Sequence, residues 1–223
     1  MDFCEDFCLT PVPSKTKLLI FTPKKSNILD VLTSTTPVSL DGVNIEPSLE
    51  AEHVGVLRSR SASNLPAVNL QMSKHRKALH SILAFGSSRS HLGNPAASLK
   101  VEILYARPVL LSELCTLLLN KYQLNLLSHY LKSTLQRIQK LYSRTPSPAV
   151  HFLAGSVPFT ACYHMGCLLL FGRVARLSPD NPLFSFAEYS LKLSLKDSWF
   201  SFIQSLTSKY SLPDPLDMLK YPP

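Results

Sequence analysis

Charged residues are scarce in this sequence: they occupy 17% of its 223 positions, and the acids among them are scattered. No Tyr-x-Asp-Asp sequence and no pair of adjacent aspartates occurs anywhere. Nucleotidyl transfer through two magnesium ions needs carboxylates that hold the ions about 4 Å apart. Glycine is also scarce, and no phosphate-cradling glycine motif, His-Glu-x-x-His or Gly-x-Ser-x-Gly is present. We therefore predict no metal site and no catalysis by this chain alone.

Long apolar runs and regularly spaced cysteines are missing as well. The longest apolar stretch, residues 159–171, is interrupted by His164 and is too short to span a bilayer. The cysteines follow no disulfide spacing, which favours a reducing compartment, and the acidic start does not match a signal peptide. We therefore expect no membrane segment and an intracellular location, in the nucleus or the cytoplasm. The cysteines are Cys4, Cys8, Cys115, Cys162 and Cys167.

What the sequence does contain is apolar bulk and positive charge. Hydrophobic residues make up 45% of the chain, which is enough for a buried core in one or two domains. Lys and Arg number 23 against 15 Asp and Glu, which leaves a formal charge of +8. This excess suits a nucleic acid or another polyanion as partner. Ordinary surface basicity would give the same count.

The first 60 residues have the pattern of short strands and turns. The predicted strands cover residues 18–21, 43–45 and 53–57. Asp41-Gly42 is a turn signal before the second strand, and Gly55 lies inside the third. A polar joint over residues 58–64 ends this region. The pattern predicts short antiparallel strands at the N-terminus.

From about residue 66 the apolar period becomes helical. We predict helices with a break at Arg107-Pro108, because proline interrupts a helix. The helix over residues 159–177 is nearly apolar all round and is expected to be buried. Short strands followed by helices predict an α+β fold. The predicted helices cover residues 66–83, 97–105, 109–119, 123–142, 159–177, 181–195 and 198–210.

The clearest helix, residues 123–142, combines an apolar stripe with a polar face. The stripe consists of Leu124, Leu127, Leu131, Leu135 and Ile138. At about 100° per residue, the opposite face carries His129, Lys132, Gln136, Lys140 and Arg144. The helix predicted over residues 66–83 has basic residues around its apolar face as well.

These two basic helix surfaces predict contacts with nucleic-acid phosphates, which give affinity without reading sequence. A solvated helix face is the alternative interpretation for each of them. The predicted nucleic-acid-binding residues on the helices are Lys74, Arg76, Lys77, Lys132, Arg137, Lys140 and Arg144.

The spacing Cys162-x-His164-x-x-Cys167 places three possible zinc ligands close together. No fourth ligand follows at a typical spacing, and all three lie inside an apolar helical run. Buried thiols and a hydrogen-bonded histidine are therefore the favoured interpretation. Cys4 and Cys8, one helical turn apart, are interpreted in the same way.

The N-terminal residues carry a family resemblance. Residues 3–9, Phe-Cys-Glu-Asp-Phe-Cys-Leu, precede Val12-Pro13-Ser14-Lys15-Thr16 and an apolar run. This order resembles the stretch that follows the catalytic Tyr-x-Asp-Asp hairpin in reverse transcriptases of non-LTR (LINE-type) retrotransposons.

Further segments are similar to the same family and keep its order, so that the resemblance covers nearly the whole chain. They are residues 53–56, 101–111, 130–146, 152–158 and 198–215. The fingers, most of the palm and the catalytic hairpin are absent. The chain thus resembles the end of the palm, the thumb and the connection of the enzyme.

The resemblance implies roles for individual residues. Lys15 matches the lysine of motif D, to which the family assigns stabilisation or protonation of the leaving pyrophosphate. A solvated lysine at a strand end is the equal alternative. Gly55 matches the glycine of motif E, the primer grip, where the backbone approaches the primer strand closely. A β-bulge glycine is the alternative there.

The resemblance also implies an organisation and a function. Palm-remnant strands would occupy residues 1–60, a thumb-like helical domain residues 61–145 and a helical connection residues 146–223. The intact enzyme would be an RNA-directed DNA polymerase that uses Mg²⁺, whereas this chain would hold no cofactor and only grip the RNA/DNA template-primer. The alternative is a non-enzymatic helical remnant of a transposable element that binds nucleic acid or protein.

Overall fold

The structure is a computed structural model that describes residues 16–19, 38–40, 42–45, 47–48, 50–53, 56–59, 63–86, 94–194 and 196–221. Short antiparallel strands near the N-terminus are followed by helices, so the predicted α+β class is confirmed. The chain divides into two compact units, residues 1–67 and 68–223. The predicted division into three domains stays a prediction.

The described part of the first unit contains two small antiparallel sheets. In one, β1 (Ser39–Leu40) pairs with β2 (Val43–Asn44). Gly42 lies in the turn between them with a φ of +76°, which glycine adopts readily because it has no Cβ. Within the strand predicted over residues 18–21, Leu18 forms a single parallel bridge with Pro47, and residues 20 and 21 lie outside the described residues.

The prediction of one strand over residues 53–57 is wrong. Strand β3 (Glu50–His53) pairs antiparallel with β4 (Val56–Ser59), so His53 and Val56 belong to two different strands and lie opposite each other. The polar residues of β3 give no apolar alternation. They form a strand because pairing with β4 satisfies their backbone groups.

The second unit is helical. Its α-helices within the described residues are α1 (Leu65–Gly86), α2 (Pro95–Val101), α3 (Arg107–Leu111), α4 (Lys121–Ile138), α5 (Ser147–Leu153), α6 (Phe159–Ala175), α7 (Pro182–Lys192), α8 (Trp199–Lys209) and α9 (Pro215–Lys220). A π-helical turn, Glu102–Ala106, joins α2 to α3, and a 3₁₀ turn, Leu114–Thr116, follows α3.

The predicted break at Arg107-Pro108 is wrong. Helix α2 continues through the π turn into α3, and the Arg107 N–H bonds the Glu102 carbonyl five residues earlier. Pro108 lies in the first turn of α3, where its missing N–H costs little. The wider π turn before it leaves room for the ring. The helix ends at Leu111 instead, so only part of the helix predicted over residues 109–119 forms.

Helix α4, predicted over residues 123–142, forms over Lys121–Ile138 and buries part of its predicted apolar stripe. The Asn120 side chain accepts the Gln123 N–H at 2.9 Å, and the Gln123 side chain accepts the Asn120 N–H at 3.0 Å. This reciprocal pair is a capping box and fixes the start of the helix. Leu127, Leu131 and Leu135 from the predicted stripe are fully buried. The predicted burial of the stripe is confirmed at these three positions.

Helix α6 is buried on one side only, contrary to the prediction that it is buried all round. Phe159, Tyr163 and Phe171 lie in the core, whereas Met165 and Leu169 are 56% and 61% exposed. A helix that is apolar on every side gives no periodic signal to show which side faces the core. Its exposed apolar side forms part of a cavity described below.

Candidate nucleic-acid interface

Two of the predicted site residues, Lys15 and Gly55, lie outside the described residues. Their roles in the motif D and motif E segments stay predictions. The other seven lie on α1, on α4 and in the turn after α4. The structure brings only some of these seven together.

The three predicted basic residues on α1 have different surroundings. The Lys74 ammonium is 2.9 Å from a Glu113 carboxylate oxygen, so that its charge is balanced by a neighbour. The Arg76 guanidinium carbon lies 5.9 Å from the centre of the Tyr130 ring on α4. Lys77 is exposed. A cation–π contact contributes about 0.5–1 kcal/mol at an exposed site, and this one holds Arg76 beside α4.

Tyr130 joins α1 to α4 through its hydroxyl group. The hydroxyl donates to the Met72 carbonyl at 3.2 Å and lies 2.8 Å from the His75 Nδ1. Burial raises the pKa of Tyr130, although the nearby Arg76 charge lowers it. The neutral phenol therefore stays a hydrogen-bond donor, and its ring stays available to Arg76.

The C-terminal end of α4 contains a polar cavity of about 370 Å³. Arg137 and Lys140 are among its lining residues, and no acidic side chain of the described residues lines it. Lys140 has a φ of +55°, the left-handed conformation that commonly terminates a helix. The lining residues are Ser133, Gln136, Arg137, Lys140, Leu141 and Ser143. We call this the α4 cavity.

Gln136 is buried, although the helical spacing predicts it on the solvent-facing side of α4. Its side-chain amide donates to the carbonyls of Tyr142, Ser143 and Thr145 at 3.2–3.3 Å. The turn after α4 therefore folds back over the helix end and covers Gln136. This turn carries Ser143 to the α4 cavity, and the exposed Arg144 directly follows.

Lys132 lies apart from the α4 cavity. It is half-buried and precedes Arg137 by five residues, which places it about 140° away around the helix. The structure thus brings Arg137 and Lys140 together, with Arg144 in the adjoining turn, whereas Lys132 does not line the cavity.

A buried ion-pair cluster, which the sequence interpretation missed, lies at the π turn. Arg107 donates to both Glu102 carboxylate oxygens and, at 2.6 Å, to the Ser156 hydroxyl. The His75 Nε2 lies 3.5 Å from Glu102. Burial alone would raise the pKa of Glu102, but the contacts with His75 and Arg107 bring it below its ordinary value. The sequence feature that could have predicted this cluster is an acid and an arginine five residues apart in an apolar segment. A π turn brings residues at that spacing together.

The three possible zinc ligands predicted to be buried are indeed buried. Cys162 and Cys167 are free thiols, and the His164 Nδ1 lies 2.8 Å from the Tyr210 hydroxyl. Over the described ranges, no group of three or more His, Cys, Asp or Glu side chains is arranged to hold a metal ion. Each of these side chains is accounted for by packing or by hydrogen bonds.

A second cavity, of about 440 Å³, is almost wholly apolar. It lies between the exposed side of α6, which includes Met165 and Leu169, and Leu212 and Met218 near the C-terminus. His164 also lines it. Burial, with the charge of Lys209, lowers the pKa of His164, so the imidazole is neutral at pH 7.

Comparison with protein-family models, with curated proteins and with solved structures gives no match. Among the helices of the described residues, none has both the length and the apolar character needed to cross a membrane.

Proposed function

We propose that the helical unit binds the sugar-phosphate backbone of nucleic acid through the α4 cavity. The observation that carries this proposal is the meeting of Arg137 and Lys140 with Ser133 and Ser143 in one cavity, which no acidic side chain from the described part of the chain lines. Guanidinium and ammonium groups form charge-assisted hydrogen bonds with phosphate oxygens, and hydroxyl groups add neutral ones. The cavity therefore has the groups that a phosphate needs.

Neighbouring basic residues extend this surface. Arg144 and Lys77 are exposed, and Arg76 is held beside α4 by the Tyr130 ring. Lys74 is expected to contribute less, because its ammonium already pairs with Glu113. Contacts of this kind neutralise phosphates and release counterions, so the proposed binding is salt-dependent and indifferent to base sequence.

We further infer that the chain derives from a non-LTR retrotransposon reverse transcriptase, in which this part grips the RNA/DNA template-primer. The order of the similar segments along the chain supports this inference, as does an α+β arrangement with strands before helices. Because the sequence lacks Tyr-x-Asp-Asp, the chain alone is proposed to bind without polymerising.

Fluorescence anisotropy with labelled RNA–DNA hybrids and DNA duplexes of unrelated sequence tests the proposal. The full-length protein is expected to bind all of them at low salt with similar affinity, because phosphate contacts do not depend on base sequence. An absence of binding at low ionic strength, where phosphate contacts are strongest, would overturn the proposal. A strong preference for one sequence would contradict backbone recognition.

The apolar cavity favours a second candidate, a protein-binding helical remnant of a transposable element. Met165, Leu169 and Leu212 are exposed beside it, and exposed apolar surface is typical of partner sites. A dye that fluoresces on apolar surface should bind the native protein and bind Leu169→Asp much less. Strong dye binding together with no nucleic-acid binding would favour this second candidate over the first.

A further inference from the structure

Two cysteine thiols that play no part in the proposed function meet in the core of the helical unit. Cys115 lies in the 3₁₀ turn Leu114–Thr116 and Cys167 lies in α6, 52 residues apart in sequence. The Cys167 thiol donates to the Cys115 carbonyl at 3.4 Å, and the Cys115 sulfur lies against Gly166, the residue next to Cys167. Both cysteines are free.

The surroundings hold these two sulfurs in place. Gly166 lets the Cys115 sulfur approach α6, since a Cβ at residue 166 would lie 2.4 Å from it. The Trp199 indole N–H donates to the Cys115 carbonyl at 2.9 Å. The Tyr163 hydroxyl donates to the Leu117 carbonyl at 2.7 Å. The chain is therefore fastened to α8 at Cys115 and to α6 at Leu117.

The two thiols differ in acidity and access. Hydrogen bonding of the Cys167 thiol to the Cys115 thiolate lowers the pKa of Cys115, although burial opposes this. The same hydrogen bond and burial raise the pKa of Cys167. Cys115 is 8% exposed and Cys167 is fully buried. Because the thiolate is the reactive form, Cys115 is the thiol that a small oxidant meets first.

We propose that Cys115 and Cys167 form an oxidation site, at which a hydroperoxide converts the two thiols into a disulfide between the 3₁₀ turn and α6. This modification is independent of nucleic-acid binding at the α4 cavity. It requires no third residue, because the two sulfurs are already neighbours.

The chemistry takes place in two steps. In the first, the Cys115 thiolate attacks one oxygen of hydrogen peroxide, an S–O bond forms, the O–O bond breaks, and the departing hydroxide is protonated to water. In the second, the Cys167 sulfur gives up its proton and attacks the Cys115 sulfenic sulfur, which expels the oxygen as a second water. Two thiols and one peroxide thus give one disulfide and two waters, with the peroxide reduced by two electrons.

The cross-link would close a long loop between the 3₁₀ turn and α6. Cross-linking residues far apart in sequence restricts the unfolded chain. The oxidised protein is therefore expected to melt at a higher temperature than the reduced protein, and a thiol reductant should reverse the shift.

Peptide mapping of the full-length protein after brief treatment with hydrogen peroxide tests the proposal. The expected product is a Cys115–Cys167 peptide pair that is absent before treatment and lost on reduction. Cys162 serves as an internal control, because burial raises the pKa of its thiol and it should remain alkylatable after denaturation. An oxidised, folded protein that lacks the linked pair, or that links either cysteine to Cys162, would overturn the proposal.

Two variants test the order of the steps. Cys167→Ser should stop the reaction at the Cys115 sulfenic acid, which a sulfenic-acid-specific diketone captures, whereas Cys162→Ser should form the Cys115–Cys167 link normally. Failure to capture a sulfenic acid at Cys115 in a folded Cys167→Ser protein contradicts the first step. Circular dichroism shows whether each variant is folded. If Cys167→Ser does not fold, the peptide map of the wild-type protein decides the proposal.

Discussion

The sulfur of Cys115 lies against the backbone of Gly166, so closely that a Cβ on Gly166 would be 2.4 Å from it. The next atom that this Cβ would meet is the Cys115 Cβ at 3.7 Å, an ordinary van der Waals distance. A larger residue at position 166 would therefore force the Cys115 side chain or the 3₁₀ turn to shift away from α6.

Gly166→Ala is predicted to lower the free energy of unfolding by about 1–3 kcal/mol, the usual cost of overpacking a core. In a Cys115→Ala background the same substitution should cost much less, because the clashing sulfur is gone. Chemical denaturation of the four proteins in this double-mutant cycle gives the coupling energy. Equal costs in the two backgrounds would show that the contact does not limit the packing.

Glu102→Gln is predicted to cost about 3–5 kcal/mol, because it leaves the buried Arg107 guanidinium without its counter-charge. Glu188→Gln, which breaks the surface pair with Lys192, is the matched control. The control should change stability by less than about 1 kcal/mol. Urea denaturation measures both variants, and similar small effects would contradict a structural role for the Glu102 cluster.

Lowering the pH is predicted to destabilise the protein, over a pH range that depends in part on the pKa of His164. Burial lowers the pKa of His164 below its ordinary value of 6.5, so the unfolded chain binds this proton more readily. The stabilisation is complete above about pH 6.5 and is lost as the pH falls through the lower folded-state value. The pKa of His151 is lowered as well, by burial and by Arg107, and it adds to the same loss.

Denaturation midpoints measured from about pH 8 to about pH 5 check this window. The His164→Phe variant should lose less stability over this pH range than the wild type. The pH dependence that remains in the variant is expected to come from His151. Identical pH dependence in the two proteins would contradict a neutral, buried His164.

Gln136→Leu is predicted to weaken nucleic-acid binding without changing any charge. The substitution removes the amide that holds the turn over residues 142–145, so Ser143 is no longer fixed at the α4 cavity. Gln139→Leu is the control, because its amide bonds the Leu135 and Val150 carbonyls outside the cavity. Affinity should fall for Gln136→Leu with an unchanged salt dependence, and equal affinities for both variants would exclude a positioning role for Gln136.

The sequence predicts the helices of this fold where the apolar period is clear. The buried leucine stripe of α4 follows from a three-four spacing alone. Prediction from the spacing of apolar residues fails for α6, which is apolar on every side. It also fails for β3, because this strand depends on pairing with β4 and has no alternation of apolar residues. It also fails at Pro108, because a π turn upstream of the proline keeps the helix continuous.

The candidate site is predictable in part. Arg137, Lys140 and Arg144 follow from charge and helical spacing, and the structure places the first two in one cavity. The role of Gln136 could not be predicted from the sequence. A polar residue on the polar side of a helix is expected to face solvent, and only the structure shows the turn that covers it. The pairing of Lys74 with Glu113 across 39 residues is likewise a tertiary contact without a local signal.

The salt dependence of nucleic-acid binding, compared between Arg137→Ser/Lys140→Ser and the wild type, tests the central claim most directly. Each phosphate contact adds about 0.9 to the slope of log affinity against log salt on duplex DNA, so the double variant should lose a slope of about 1.8. Lys192→Ser/Lys196→Ser removes the same charge from exposed residues elsewhere and should keep the wild-type slope. Equal slopes for both double variants would contradict phosphate binding at the α4 cavity.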